Sequence, residues 1–168
     1  MPFALNAYSP KRADGLHIVD FALWTGLRRN EIINLQWSDI DLNRKVLIVR
    51  NKEGFRTKSG KSRSIPLNGQ LVAMLTEMKA VGCQPENRVF TVNYWTLGQH
   101  FRHAARVAGL EGITLHTLRH TFASHLIMAG ADVRSVQELL GHHDITVTMI
   151  YSHLSRDHLS ATVEKLKY

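Results

Sequence analysis

Four segments carry side chains suited to binding and opening a phosphate ester. His116 and Arg119 stand three apart in a stretch of helical spacing, beside the stripe Leu115, Leu118, Phe122 and Leu126, so they project to neighbouring positions and can reach one small anion. A guanidinium fork binds two phosphate oxygens at once without losing its proton, and an adjacent imidazole can pass protons. His142 sits at a glycine-framed corner, Leu139-Leu140-Gly141-His142-His143-Asp144, and Tyr151 follows roughly two and a half helical turns later. Arg28 comes directly after the tight turn Thr25-Gly26-Leu27, with Glu31 placed to hold it. The run from Arg56 to Arg63, which includes Lys58 and Lys61, gathers donors on a turn and suits a loop laid on a phosphate backbone. Each segment alone also has a plain reading: a surface His/Arg pair, a solvated loop, a basic helix start, and a tyrosine whose ring packs inside with its hydroxyl in water.

As a set, in this order and spacing, they say more. Thr25 to Arg28, Thr57 to Leu67 (T-K-S-G-K-S-R-S-I-P-L), His116 to Ala123 (H-x-x-R-H-T-F-A), and Leu139 to His142 followed by Ile150 to His153 resemble the motifs of the tyrosine recombinase (phage-type integrase) family. The segment Asn30-Glu31-Ile32 with Leu35 to Asp41 looks like the one that follows the family's first arginine. The likeness runs from about Asp14 to His158. It implies that Arg28 and Arg119 clamp a scissile phosphate with His116 and His142 beside it. It also implies that Lys58 is the hairpin lysine and Tyr151 the nucleophile; Lys52 and Lys61 lie close enough to exchange with Lys58 if the hairpin register shifts. Arg56, Lys61, Arg63 and His120 are the further residues expected on DNA.

That set suits strand cleavage and rejoining. A phenol with a pKa near 10 is a poor nucleophile until a neighbour takes its proton or positive charge stabilises its anion. His116 is the expected base, with both arginines easing the anion. Charge gathering on the nonbridging oxygens in the transition state would meet Arg28, Arg119 and a hydrogen bond from His142. Lys58 would protonate the leaving 5′ oxygen. A 3′-phosphotyrosyl bond keeps the energy of the ester, so a 5′ hydroxyl can reverse the step with neither metal nor cofactor. The resemblance implies double-stranded DNA as partner, self-association as a tetramer on DNA, and no small-molecule cofactor.

Composition agrees with such a partner. Lys and Arg number 21 against 14 Asp and Glu, a formal charge of +7, with a pI near 9.9, which favours a polyanion. A single cysteine, Cys83, rules out an intramolecular disulfide and a Cys-rich zinc site. No apolar run approaches the roughly 20 residues of a membrane span, and no secretory signal begins the chain, so a cytoplasmic, nucleoid-associated setting is expected.

The elements that must carry these residues are mostly helices. At 168 residues and 44% hydrophobic content the chain fits one core. Residues 1–13 read as a linker or truncated N-terminal edge and 14–168 as a catalytic domain, with the N-terminal core-binding domain of full-length relatives absent. Helices are expected from Gly15 to Thr25, Arg29 to Leu35, a stretch capped by Asn68 that carries Leu71, Met74, Leu75 and Met78 and ends by Gly82 and Pro85, Trp95 to Ala108, Leu115 to Met128, Asp132 to Leu140, Asp144 to Tyr151, and Arg156 to Leu166. Lys45 to Arg50 and Ser64 to Pro66 make a small antiparallel sheet with a basic tip turned by Gly54 and Gly60. The fold class is mainly α with a small antiparallel β-sheet (α+β), as the resemblance to tyrosine recombinase, DNA breaking-rejoining catalytic domains also implies.

Two readings of other classes compete. A metal-dependent nuclease is suggested by 10 histidines, among them His100 with His103 and His116 with His120, but these lack a carboxylate or cysteine at ligand spacing. A non-catalytic DNA-binding module would keep the basic surface without chemistry. A type IB topoisomerase shares the chemistry but matches the motifs less closely.

Overall fold

The computed structural model describes residues 10–79 and 83–155, with side chains for 17–79 and 83–154. Among the described residues the helices run in order α1 (Pro10–Thr25), α2 (Arg29–Ile33), α3 (Gly69–Met78), α4 (Tyr94–Val107), α5 (Leu115–Met128), α6 (Val133–Leu140) and α7 (Thr146–Met149). Three start on side chains that accept a free backbone N–H: Asn68 from Leu71, Asn93 from Thr96, and Asp132 from Ser135, each at 2.8 Å. Strands β1 (Ile40–Asp41), β2 (Val46–Val49) and β3 (Arg63–Pro66) pair antiparallel in that order. Leu47 faces Ile65 across β2 and β3, and both point inward.

One core joins the sheet to α1, α3, α4 and the start of α5, around Ile18, Phe21, Leu47, Ile65, Leu75 and Phe90. Phe21 and Phe90 meet edge to face at 5.1 Å between centroids. A second cluster joins the far half of α5 to α6 through Ala123, Ile127, Val136 and Leu140, and Tyr151 packs into it. Helix α5 touches both clusters and is the mast on which the rest is hung.

The expected class of fold is present, with differences in extent. Helix α1 begins at Pro10, inside the stretch read as irregular; proline has no N–H to lose in a first turn and its φ already suits one. A two-residue β1 extends the sheet, too short to leave a period-2 pattern. Helix α7 spans only Thr146–Met149, so Tyr151 lies past it, leading into a 3-10 turn at Ser152–Ser155. The helix expected from Arg156 to Leu166 and the Gly82 turn fall outside the described residues.

Candidate active site

Arg119 is the fixed point of the site. It is 2% exposed; its Nη1 donates to the Gly26 carbonyl and its Nη2 to the Leu140 carbonyl, each at 2.7 Å. One guanidinium therefore ties the end of α1 and the end of α6 to α5. Both corners are left-handed, with φ of 62° at Gly26 and 66° at Gly141. A Cβ at Gly26 would lie 2.4 Å from Phe122 Cδ1, and one at Gly141 2.9 Å from Arg63 Cδ, so only glycine fits. These turns deliver Arg28 and His142 beside Arg119. Burial, then the neighbouring Arg28, push the Arg119 pKa down to about 9, which leaves it charged at neutral pH. Its Nε makes no hydrogen bond among the described residues.

Under the cations lies a carboxylate. Glu31, 4% exposed, accepts from the Arg28 backbone N–H at 2.8 Å and from Arg28 Nη1 at 3.2 Å. It also accepts two parallel bonds from Arg63, Nη1 at 3.0 Å and Nη2 at 2.7 Å. Burial opposes its charge, but the bonds and charges of Arg63 and then Arg28 outweigh it and hold its pKa below the ordinary range. Arg63 Nε donates to the Leu139 carbonyl at 2.8 Å. The expectation that Arg63 faces DNA with the hairpin donors is thereby corrected. All three of its nitrogens point inward because a bidentate partner and an orphan helix-end carbonyl wait there.

His142 Nδ1 bonds the hydroxyl of fully buried Thr148 at 2.8 Å, which leaves Nε2 at the pocket. Burial first, then Arg119, Arg28 and Arg63, push its pKa down to about 4, so this imidazole is neutral at pH 7. Tyr151, 6% exposed, packs its ring as expected, but its hydroxyl is not in water: it bonds His120 Nδ1. His120 thus faces the phenol, a place its expected role on DNA did not give it. Burial raises the Tyr151 pKa and the Arg119 charge partly offsets this, so the phenol rests protonated. His116 and His120 meet edge to face at 4.7 Å. Burial, followed by His120, Arg119, Arg28 and Lys58, lowers the His116 pKa.

Lys58 therefore lies within electrostatic reach of His116, across from α5. It is exposed, as are Arg56 and Lys61; among the described residues none of the three holds an ion pair. Lys52 does not compete for that place, since its ammonium pairs with Asp39 and bonds Gln36 Oε1 at 3.1 Å. The hairpin is braced beneath its tip by Asn51 Oδ1, which accepts from the Thr57 backbone at 2.9 Å.

His120 on the phenol, Thr148 behind His142 and Arg63 behind Glu31 are not expected from the sequence. Nor is a cleft of about 410 Å³ beside Arg28 and His116, walled by Arg29, Tyr94, Gly98 and Arg102. Arg29 lies flat on the Tyr94 ring, 3.3 Å from its centroid, and takes the space a side chain at Gly98 would need. His100 and His103 are exposed on α4, and among the described residues no three His, Cys, Asp or Glu are grouped to hold a metal ion.

Residues 3–158 match the model of the phage integrase family. The chain belongs to the phage integrase family. It is 33% identical over 175 residues to tyrosine recombinase XerA of Thermococcus kodakarensis, a match covering 97% of this chain and 59% of that protein. The catalytic domain of bacteriophage HP1 integrase is 32% identical and superposes with a TM-score of 0.67, over 89% of this chain and 80% of that domain. The XerH site-specific recombinase, solved in a post-cleavage complex with a palindromic difH substrate, is 25% identical at a TM-score of 0.67, over 95% of this chain and 48% of that one. This integrase-family chain thus spans a little under three fifths of the XerA relative.

Proposed function

We propose that this chain is the catalytic domain of a site-specific DNA recombinase, cleaving and rejoining strands through a 3′-phosphotyrosyl bond. The observation that carries the reading is the aim of Tyr151: its hydroxyl turns to His120 and lies in the field of Arg119. A tyrosine that only filled the core would need a partner for its hydroxyl, but not one inside the field of a buried arginine. Family membership and the likeness to XerA, XerH and HP1 integrase support the same reading.

In this scheme the open donors of Arg28, the free edge of Arg119 and the neutral His142 receive the nonbridging oxygens. These donors are already in place before reaction, so little reorganisation is needed as the transition state forms. Lys58, on the exposed hairpin, approaches the leaving 5′ oxygen and protonates it. Arg56 and Lys61 lie along the flanking phosphates. Double-stranded DNA is the partner, assembly of protomers on it is as a tetramer, and the setting is the cytoplasm at the nucleoid.

The test is covalent trapping. The protein is mixed, with chelator present, with a pool of nicked duplexes bearing randomised arms, and adducts that survive denaturation are collected and sequenced. Wild type yields adducts enriched for one sequence class, and Tyr151→Phe yields none. A Tyr151→Phe protein that still becomes linked to DNA, or a wild type whose cleavage needs added metal, overturns the proposal.

A further inference from the structure

The histidine expected to activate the nucleophile and the histidine placed on it are different residues. His116 and His120 occupy one face of α5, four residues apart, with Arg119 between them. Of the two, His120 has a ring nitrogen on the Tyr151 hydroxyl, while among the described residues His116 makes no hydrogen bond to it. The rings of His120 and Tyr151 lie 5.8 Å apart at 49°. His116 instead lines the cleft beside Arg28, Arg29 and Arg102, in the fields of Arg119, Arg28 and Lys58.

We infer that His120 is a catalytic residue that takes the Tyr151 proton during strand cleavage, and that His116 serves the phosphate. This rests on the recombinase reading above. In the step, the Tyr151 oxygen forms its bond to phosphorus as its proton passes to His120 Nδ1, leaving an imidazolium. The bond from phosphorus to the 5′ oxygen breaks with its electron pair, and that oxygen takes a proton from Lys58. Rejoining runs the same transfers backward: His120 returns its proton to the departing phenolate and Lys58 accepts one from the attacking 5′ hydroxyl. The geometry asks for the Nδ1-unprotonated tautomer, with the N–H on Nε2. His116, edge-on to the same ring, then lies beside the charge that forms.

The experiment uses single-turnover cleavage of the trapped DNA sequence, once with an ordinary 5′ oxygen and once with sulfur at the scissile 5′ bridge, whose departure needs no proton. The variants are His120→Gln, which can still bond the phenol but is not a general base, His120→Ala, and Lys58→Ala. His120→Gln is expected to lose roughly 100-fold or more on both substrates, with DNA affinity and the thermal midpoint unchanged. Lys58→Ala should lose comparably on oxygen and recover on sulfur. Added imidazole should restore part of the rate of His120→Ala. His120→Gln cutting the sulfur substrate within threefold of wild type overturns the inference. If His120→Ala unfolds, the Gln variant decides alone. Absence of any Tyr151 adduct in wild type is a separate result and removes the recombinase reading itself.

Discussion

Replacing Arg63 by Ala tests whether the pocket is built on a buried ion pair. Arg63 and Glu31 side chains are 8% and 3% exposed and share two parallel bonds. Removing one partner of such a pair strands a charge, at about 3–5 kcal/mol. Glu31 keeps two contacts from Arg28, at 2.8 and 3.2 Å, so the low end applies, about 3 kcal/mol. At roughly 2–4 °C per kcal/mol for a chain of this size, the midpoint should fall by about 6–12 °C at pH 7. Circular dichroism melts measure it. An exposed pair would give no more than about 1 kcal/mol, so a loss that small refutes the buried-pair argument.

The pH dependence gives the same experiment a second edge. In wild type the folded Glu31 has a pKa below its ordinary 4.5, so its stabilisation is complete above that value and is lost as pH falls through the folded one. In Arg63→Ala the bonds and charge that lower the Glu31 pKa most are gone while burial still raises it, so the folded pKa should rise above that of wild type. Between the folded pKa values of the two proteins the variant binds more protons than wild type, and its deficit shrinks as pH falls through that window. The gap to wild type should therefore narrow on the acid side of neutral. A gap that stays constant means the carboxylate is solvated after all. Glu31→Gln in the Arg63→Ala background should recover part of the loss.

Other substitutions separate roles that the sequence left merged. Lys61→Ala should weaken DNA binding and reduce the slope of log affinity against log salt by about 1; Arg63→Lys, at temperatures where it is folded, should leave that slope unchanged. Gly26→Ala should cost about 1–2 kcal/mol for its left-handed φ and about 1–3 kcal/mol more for the 2.4 Å clash with Phe122. Gly60→Ala, with nothing within 4 Å of its Cβ, should cost only the first part; equal midpoints for the two would refute the packing at Gly26. His142, pushed down to about 4 from 6.5, binds a proton in the unfolded chain between those values but not in the folded one. Stability should therefore fall as pH drops from 6.5 toward 4, and His142→Asn should flatten that decline in melts taken across the range.

Most of the fold was legible because helices announce themselves locally. Asn68, Asp132 and the glycines at 26 and 141 mark ends; of the expected stripe Leu115, Leu118, Phe122 and Leu126, the first two are buried and the last two partly so, with Ala123 and Ile127 completing the buried face. What failed to show was short or lacked a local signal. Strand β1 exists because Ile40 and Asp41 pair with Leu47 and Val46, a register written in the partner strand. Pro10 reads as a break in a sequence, and becomes a helix start only once the rest of α1 is in place.

The site divides in the same way. Arg28, His116, Arg119, His142 and Tyr151 can be picked out by residue type and order, and the fold gathers them within each other's fields. Which of them touch is a tertiary matter. A cluster of cations with no substrate repels itself, and the fold answers this with Glu31 beneath Arg28 and Arg63 and with two backbone carbonyls on Arg119. Arg63 looked like one more basic residue of the hairpin because its partner is 32 positions away. His120 did leave a trace, since it follows His116 by one helical turn on the same face, but nothing in that spacing says which imidazole meets Tyr151, 31 positions further on. That choice is made by the chain beyond α7: its short helix ends early enough for the tyrosine to turn back onto α5, and the ring it reaches first is His120.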